Sequence, residues 1–71
     1  MFALSKAQVS DLNYMIKNTY EARDVDYLLQ FPDHIRLMIV VGFLKITKKM
    51  NSVDLELNAQ IEYFLGMMGV N

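Results

Sequence analysis

The longest apolar run of the chain, residues 37–44, lies within residues 32–49, which read PDHIRLMIVVGFLKITKK. Pro32 lacks an amide hydrogen and suits the first turn of a helix. Asp33 near the start and the three lysines at the end carry the charges that a helix dipole favours. Because apolar residues occupy every side of the wheel, this stretch is predicted to be a buried central helix. Gly42 inside it indicates a close crossing with another helix.

A second helix is predicted upstream of the central one. Ser5 and Gln8 have the spacing of a capping box, in which each side chain pairs with a backbone N–H at the start of a helix. The pattern that follows predicts an amphipathic helix over residues 6–22. Its apolar face consists of Val9, Leu12, Met15, Ile16 and Tyr20.

Residues 24–30 lie between these two helices and predict a short helix. Asp24 is of a residue type that caps helix N-termini. Leu28 and Leu29 are expected to pack inward, and Pro32 ends or kinks the segment.

The segment 53–63 alternates apolar and polar residues without a break, which is typical of a half-buried strand. Together with the β-branched run 39–41, it allows an alternative α+β fold with a C-terminal hairpin that turns near Met50 and Asn51. Against this alternative, the Asp, Glu, Asn, Ala and Gln residues of the segment are poor strand formers.

A helix over the same segment is favoured. Asn51 or Ser52 would cap its N-terminus, and Gly69 followed by Val70 is typical of a helix C-terminus. One face of the wheel gathers Val53, Leu57, Ile61, Phe64, Leu65 and Met68. The predicted fold is therefore all-α, a small bundle of three longer helices plus one short helix with the central helix buried.

Composition limits what such a chain can be. It has 71 residues, 54% of them apolar, no cysteine and a formal net charge of −1. We therefore expect a single small helical domain over residues 1–71, neither disordered nor disulfide-linked, in the cytoplasm. No signal peptide is expected, and the apolar run 37–44 is far shorter than the ~20 residues that span a bilayer.

The apolar content exceeds what so small an interior readily holds, so part of it is expected to contact another polypeptide. Leu55, Ala59 and Tyr63 form a second apolar stripe, opposite the predicted inward face of the last helix. Tyr14 and Met67 join them as interface candidates, because Tyr and Met are frequent on binding surfaces. The sequence predicts a homodimer built around the central helix and this stripe.

Residues for catalysis or cofactor binding are scarce. The single histidine, His34, is expected to be a solvated residue of a first helical turn, and no cysteine is available as a nucleophile or metal ligand. Asp24 and Asp26 resemble the opening of a calcium loop, but its Gly and closing Glu are missing. We predict a protein that is not an enzyme and binds neither a cofactor nor a metal.

The predicted function is a protein–protein interaction module of bacterial or phage type, a homodimeric regulator, adaptor or inhibitor that presents Tyr and Met side chains. An alternative is a nucleic-acid-binding transcriptional regulator with a patch formed by Lys45, Lys48 and Lys49. The acidic balance of the chain and the absence of an Arg, Asn and Gln-bearing helix disfavour nucleic acid as a partner.

Overall fold

The computed structural model describes residues 3–70, so Met1, Phe2 and Asn71 of the predicted 1–71 domain lie outside the described residues. Those residues contain helices and no strand. The helices are α1 (Lys6–Thr19), α2 (Ala22–Leu29), α3 (Asp33–Met50) and α4 (Leu55–Met67). The all-α prediction of three longer helices and a short one is confirmed. The alternative hairpin is wrong, because the alternating segment forms most of α4.

The start of α1 follows the capping box. Gln8 N donates to Ser5 Oγ over 3.1 Å, and Ser5 N donates to Gln8 Oε1 over 3.0 Å. The end of α1 was predicted three residues too far, because Tyr20 is extended. Glu21, not Asp24, then occupies the N-cap position of α2, and Asp24 lies in its first turn.

Both ends of α4 are set by local polar contacts. Its N-cap is Asp54, whose Oδ1 accepts from Leu57 N over 3.0 Å, so the predicted cap at Asn51 or Ser52 is wrong. At the other end Gly69 adopts φ +73°, and its N–H donates to the carbonyl of Gly66 over 3.1 Å. Val70 N donates to the Leu65 carbonyl over 3.0 Å. The predicted glycine C-terminus is confirmed as a Schellman motif.

The described chain divides into two compact units with their boundary inside α3. Residues up to Met38 form the N-terminal unit, and those from Ile39 form the C-terminal unit. Buried apolar residues of the N-terminal unit are Leu12, Ile16, Leu28 and Leu37. Those of the C-terminal unit are Val40, Leu44, Ile61, Phe64, Leu65 and Met68.

Several predicted inward side chains are exposed. Leu29 faces solvent although its neighbour Leu28 is buried, and Val53 and Leu57 are exposed although the rest of the predicted α4 face is buried. The central helix was predicted to be buried, but it is buried along one side only, and its exposed large apolar side chains are Met38, Phe43, Ile46 and Met50.

Gly42 does not mark a helix crossing within the chain. A Cβ atom built at this position meets nothing within 4 Å. The expectation of a close crossing there is wrong, since no other described segment comes within 4 Å of that Cβ position.

Candidate functional site

The C-terminal unit is an antiparallel pair of helices, formed by the end of α3 and by α4. Asn51 and Asn58 lock the connection: Asn58 Nδ2 donates to the Asn51 carbonyl over 2.9 Å, and Asn51 Nδ2 donates to Asn58 Oδ1 over 3.2 Å. Asn51 Oδ1 also accepts from Asp54 N over 3.2 Å. Further along the pair, Lys48 and Glu62 form an ion pair.

The predicted interface stripe lies on the outside of this helix pair. Leu55 is 77% exposed, Tyr63 is 74% exposed, and Ala59 between them is also exposed. Met67, one turn beyond Tyr63, is partly exposed as well. The opposite side of α4 carries the buried residues Ile61, Phe64 and Leu65. The helix therefore has one face in the core and a second apolar face toward solvent.

Tyr14, the remaining interface candidate, belongs to α1 in the N-terminal unit. Its side chain is 72% exposed. The structure therefore gathers Leu55, Ala59, Tyr63 and Met67 on one helix, while Tyr14 stands on a separate unit.

A further exposed apolar face lies on α3 and was missed from the sequence. Phe43, Ile46 and Met50 follow one another at intervals of three and four residues, and all three are exposed. The hydrophobic periodicity did not predict this exposed face, because a helix with apolar residues on every side has no distinctive outer face.

The three lysines of the suggested nucleic-acid patch do come together. Lys45, Lys48 and Lys49 line an open groove of ≈ 430 Å³, together with the buried side chain of Leu65. Lys48 is already paired with Glu62. The groove therefore combines lysine ammonium groups with the apolar stems that carry them.

The titratable groups of residues 3–70 include a single histidine and a tyrosine with a raised pKa. His34 is exposed in the first turn of α3. No three His, Asp or Glu side chains of this part of the chain are grouped so that they could hold a metal ion. Burial, and secondarily the charge of Asp24, raises the pKa of Tyr20 above its ordinary value of 10.0.

A buried arginine holds the N-terminal unit together, and sequence reasoning missed it. Arg36 is only 7% exposed. Its guanidinium donates to the carbonyls of Leu28 and Phe31 over 3.1 and 2.8 Å. It also donates to Asn13 Oδ1 over 2.7 Å and to Asp33 Oδ1 over 3.0 Å. These bonds join α1, α2, the connection after α2 and α3, which is a structural role.

Comparison with known proteins adds no relative. No protein-family model matches the chain, and no curated protein or solved structure shows significant similarity to it. None of the described helices is long and apolar enough to cross a bilayer. The site must therefore be interpreted from its own geometry.

Proposed function

We propose that this chain is a non-enzymatic protein–protein interaction module that acts as a homodimer, in the role of a regulator, adaptor or inhibitor. The supporting observation is the amount of apolar surface that the C-terminal unit leaves open. Eight large apolar side chains are exposed there: Phe43, Ile46, Met50, Val53, Leu55, Leu57, Tyr63 and Met67. An exposed apolar stripe such as that of Leu55, Ala59 and Tyr63 on α4 is typical of a site that another polypeptide covers.

The residue types support the same proposal. Tyr63 has an apolar ring and a polar hydroxyl, a combination that is enriched at interfaces. Met50 and Met67 add flexible side chains that adapt to a partner's shape. Burying a side chain such as Leu55 would contribute about 1.5–3 kcal/mol, so a few such residues suffice for a stable contact.

The proposal includes a cytoplasmic location and a bacterial or phage type of regulator. The lack of cysteine is compatible with a reducing compartment. The second statement rests on how common small, charge-balanced proteins without catalytic chemistry are in such regulation.

The test is the mass of the protein in solution, measured by light scattering on wild type and on Leu55→Glu/Ala59→Glu. We expect wild type to be a dimer and the variant to be a folded monomer, because the variant loses the burial of Leu55 and has to desolvate two added carboxylates within the contact. Circular dichroism reports whether the variant keeps its helices.

The matched control is Ala7→Glu/Ser10→Glu, which adds the same charge at exposed positions of α1. It should remain a dimer. A monomeric wild type over the concentrations tested would contradict the homodimer proposal, and a dimeric Leu55→Glu/Ala59→Glu variant would remove the α4 stripe from the interface.

Nucleic-acid binding is the second candidate, since three lysines line one groove. It predicts salt-sensitive retention of the protein on nucleic acid, because lysine–phosphate contacts release counterions. Retention should be lost in the Lys45→Ala/Lys48→Ala/Lys49→Ala variant. Unchanged retention of the triple variant, or no retention of wild type at low salt, would contradict nucleic-acid binding through these lysines.

A further inference from the structure

The charges of the C-terminal unit are separated by helix. All of its lysines lie on α3, at positions 45, 48 and 49. Its acidic side chains belong to α4, where Asp54 is the N-cap and Glu56 and Glu62 lie within the helix. The unit has three charges of each sign, so it is neutral overall but strongly polarised across the helix pair.

The acidic residues of α4 border its apolar stripe. At about 100° per residue, Glu62 falls on one edge of the stripe formed by Leu55, Ala59 and Tyr63, and Glu56 falls on the other edge. The lysines of α3 line an open groove. An acidic, apolar ridge and a basic groove thus occur in the same unit.

Charge decides how two copies can associate through the α4 stripe. If α4 packed antiparallel on its own copy about Ala59, like edges of the two stripes would meet, with Glu56 of both chains on one flank and Glu62 of both chains on the other. The α4 sequence has no basic residue to separate these carboxylates, and like charges brought together across an interface are destabilising. If α4 packed in the groove of the other copy, its carboxylates would instead face ammonium groups.

We propose that the groove of Lys45, Lys48, Lys49 and Leu65 receives α4 of a second copy of this chain. The lysine stems cover the apolar stripe of that α4, and the ammonium groups of Lys45 and Lys49 lie beside its carboxylates. A twofold axis repeats the contact, because each copy supplies one groove and one stripe, and the dimer closes. This inference rests on the proposed homodimer and specifies its surface.

The test exchanges charges between the two sides of the contact. One variant is Lys45→Glu/Lys49→Glu and the other is Glu56→Lys; Lys48 and Glu62 are left in place because they pair within the chain. Each variant alone should dimerise more weakly than wild type, the first by at least about tenfold in Kd and the second by about threefold. An equal mixture should form a heterodimer tighter than either variant forms alone, since both of its contacts again join opposite charges.

Sedimentation at low salt measures the four dissociation constants, those of wild type, of each variant and of the mixture, and native mass spectrometry separates the heterodimer from the parent species. Lys6→Glu/Lys17→Glu makes the same charge change on exposed positions of α1 and should leave Kd unchanged. Circular dichroism on every variant confirms that the helices are intact.

The outcomes separate this inference from the proposed function. A wild-type monomer overturns both. The wild-type dimer could be broken by Leu55→Glu/Ala59→Glu but persist in Lys45→Glu/Lys49→Glu. That result would contradict the groove as the contact surface and leave the homodimer proposal standing. If both charge variants dimerise more weakly than wild type and their mixture dimerises no more tightly than either alone, the groove is not the partner surface of α4.

Discussion

The two compact units of the molecule are stabilised in different ways. The N-terminal unit has a buried guanidinium, that of Arg36, bonded to parts of α1, α2 and α3 and to the segment after α2. The C-terminal unit has no buried charged side chain among its described residues and relies on an apolar core and an asparagine-locked turn. A directional polar network fixes the first unit, whereas mainly non-directional burial holds the second.

The two units differ in how much rearrangement they tolerate and in how much apolar surface they expose. A buried charge must keep all its partners, because an unpaired one is costly. Its surroundings therefore tolerate little rearrangement. The C-terminal unit concentrates exposed apolar side chains, and covering them with another polypeptide adds burial without breaking an internal polar bond. The unit that is held mainly by apolar packing is accordingly the one that contains the proposed interface.

The largest effect is expected where the polar network is broken. Arg36→Ala removes the guanidinium donor from the carbonyls of Leu28 and Phe31 and from the Asn13 amide oxygen, and of these the Leu28 carbonyl still accepts from Phe31 N. We expect the free energy of unfolding to fall by about 3 kcal/mol or more. Urea unfolding followed by circular dichroism measures it.

The control for that experiment is Arg23→Ala, because Arg23 is exposed and its ion pair with Asp24 is at the surface. It should change the free energy of unfolding by less than about 0.5 kcal/mol. Equal losses in the two alanine variants would mean that the buried guanidinium of Arg36 stabilises the N-terminal unit no more than an exposed arginine does.

A smaller effect is expected at the turn of the C-terminal unit. Asn51→Ala removes side-chain hydrogen bonds to Asp54 and Asn58. Because these groups are partly accessible to water, the loss should be about 1–2 kcal/mol in the free energy of unfolding. Ser52→Ala, at the exposed neighbouring position, is the control and should unfold at nearly the wild-type urea concentration. A loss as large as that of Arg36→Ala would show that both units depend equally on polar contacts.

Contacts between near neighbours were predictable from the sequence. The capping box of Ser5 and Gln8 and the glycine end at Gly69 each involve residues within five positions of one another, and both were found as expected. The helical state of α4 was also predictable, because the polar residues of its alternating segment disfavour a strand.

Contacts between distant residues were not predictable. Arg36 pairs with Asn13, 23 residues away, and no spacing rule links these two positions. The N-cap of α4 was misplaced because Asn51, Ser52 and Asp54 are all good capping residues. Asn51 instead bonds to Asn58, a choice that depends on how the two helices lie together. The groove of the three lysines likewise required the position of Leu65 on the other helix.

Two glycines of the C-terminal unit should respond in opposite directions to the same substitution. Gly69→Ala forces a side chain into a positive φ conformation and should cost about 1 kcal/mol in the free energy of unfolding. Gly42→Ala lies in the interior of α3 with nothing near its Cβ position and should stabilise the protein by up to about 1 kcal/mol. Thermal unfolding of both variants checks the signs. Destabilisation by Gly42→Ala would indicate a close contact at that face, including one made by a second copy.

The smallest effect concerns alkaline pH and belongs to the N-terminal unit. Burial raises the pKa of Tyr20, with a secondary contribution from the charge of Asp24. The folded protein therefore holds the phenol proton more tightly than the unfolded chain, and this part of its stability is complete below the unfolded pKa of 10.0. It is lost as the pH rises from about 10 through the folded pKa, because the unfolded state then releases the proton more readily.

Tyr20→Phe removes this ionisation, so its urea midpoint should fall less steeply than that of wild type between about pH 9 and 11. Tyr14→Phe, at an exposed position of α1, controls for the loss of a hydroxyl group. Parallel pH profiles for wild type and Tyr20→Phe would show that Tyr20 is as accessible to water in the folded state as in the unfolded one. The segment between α1 and α2 would then be exposed to water around Tyr20. The two units would in that case differ in stabilisation only through Arg36 and its partners.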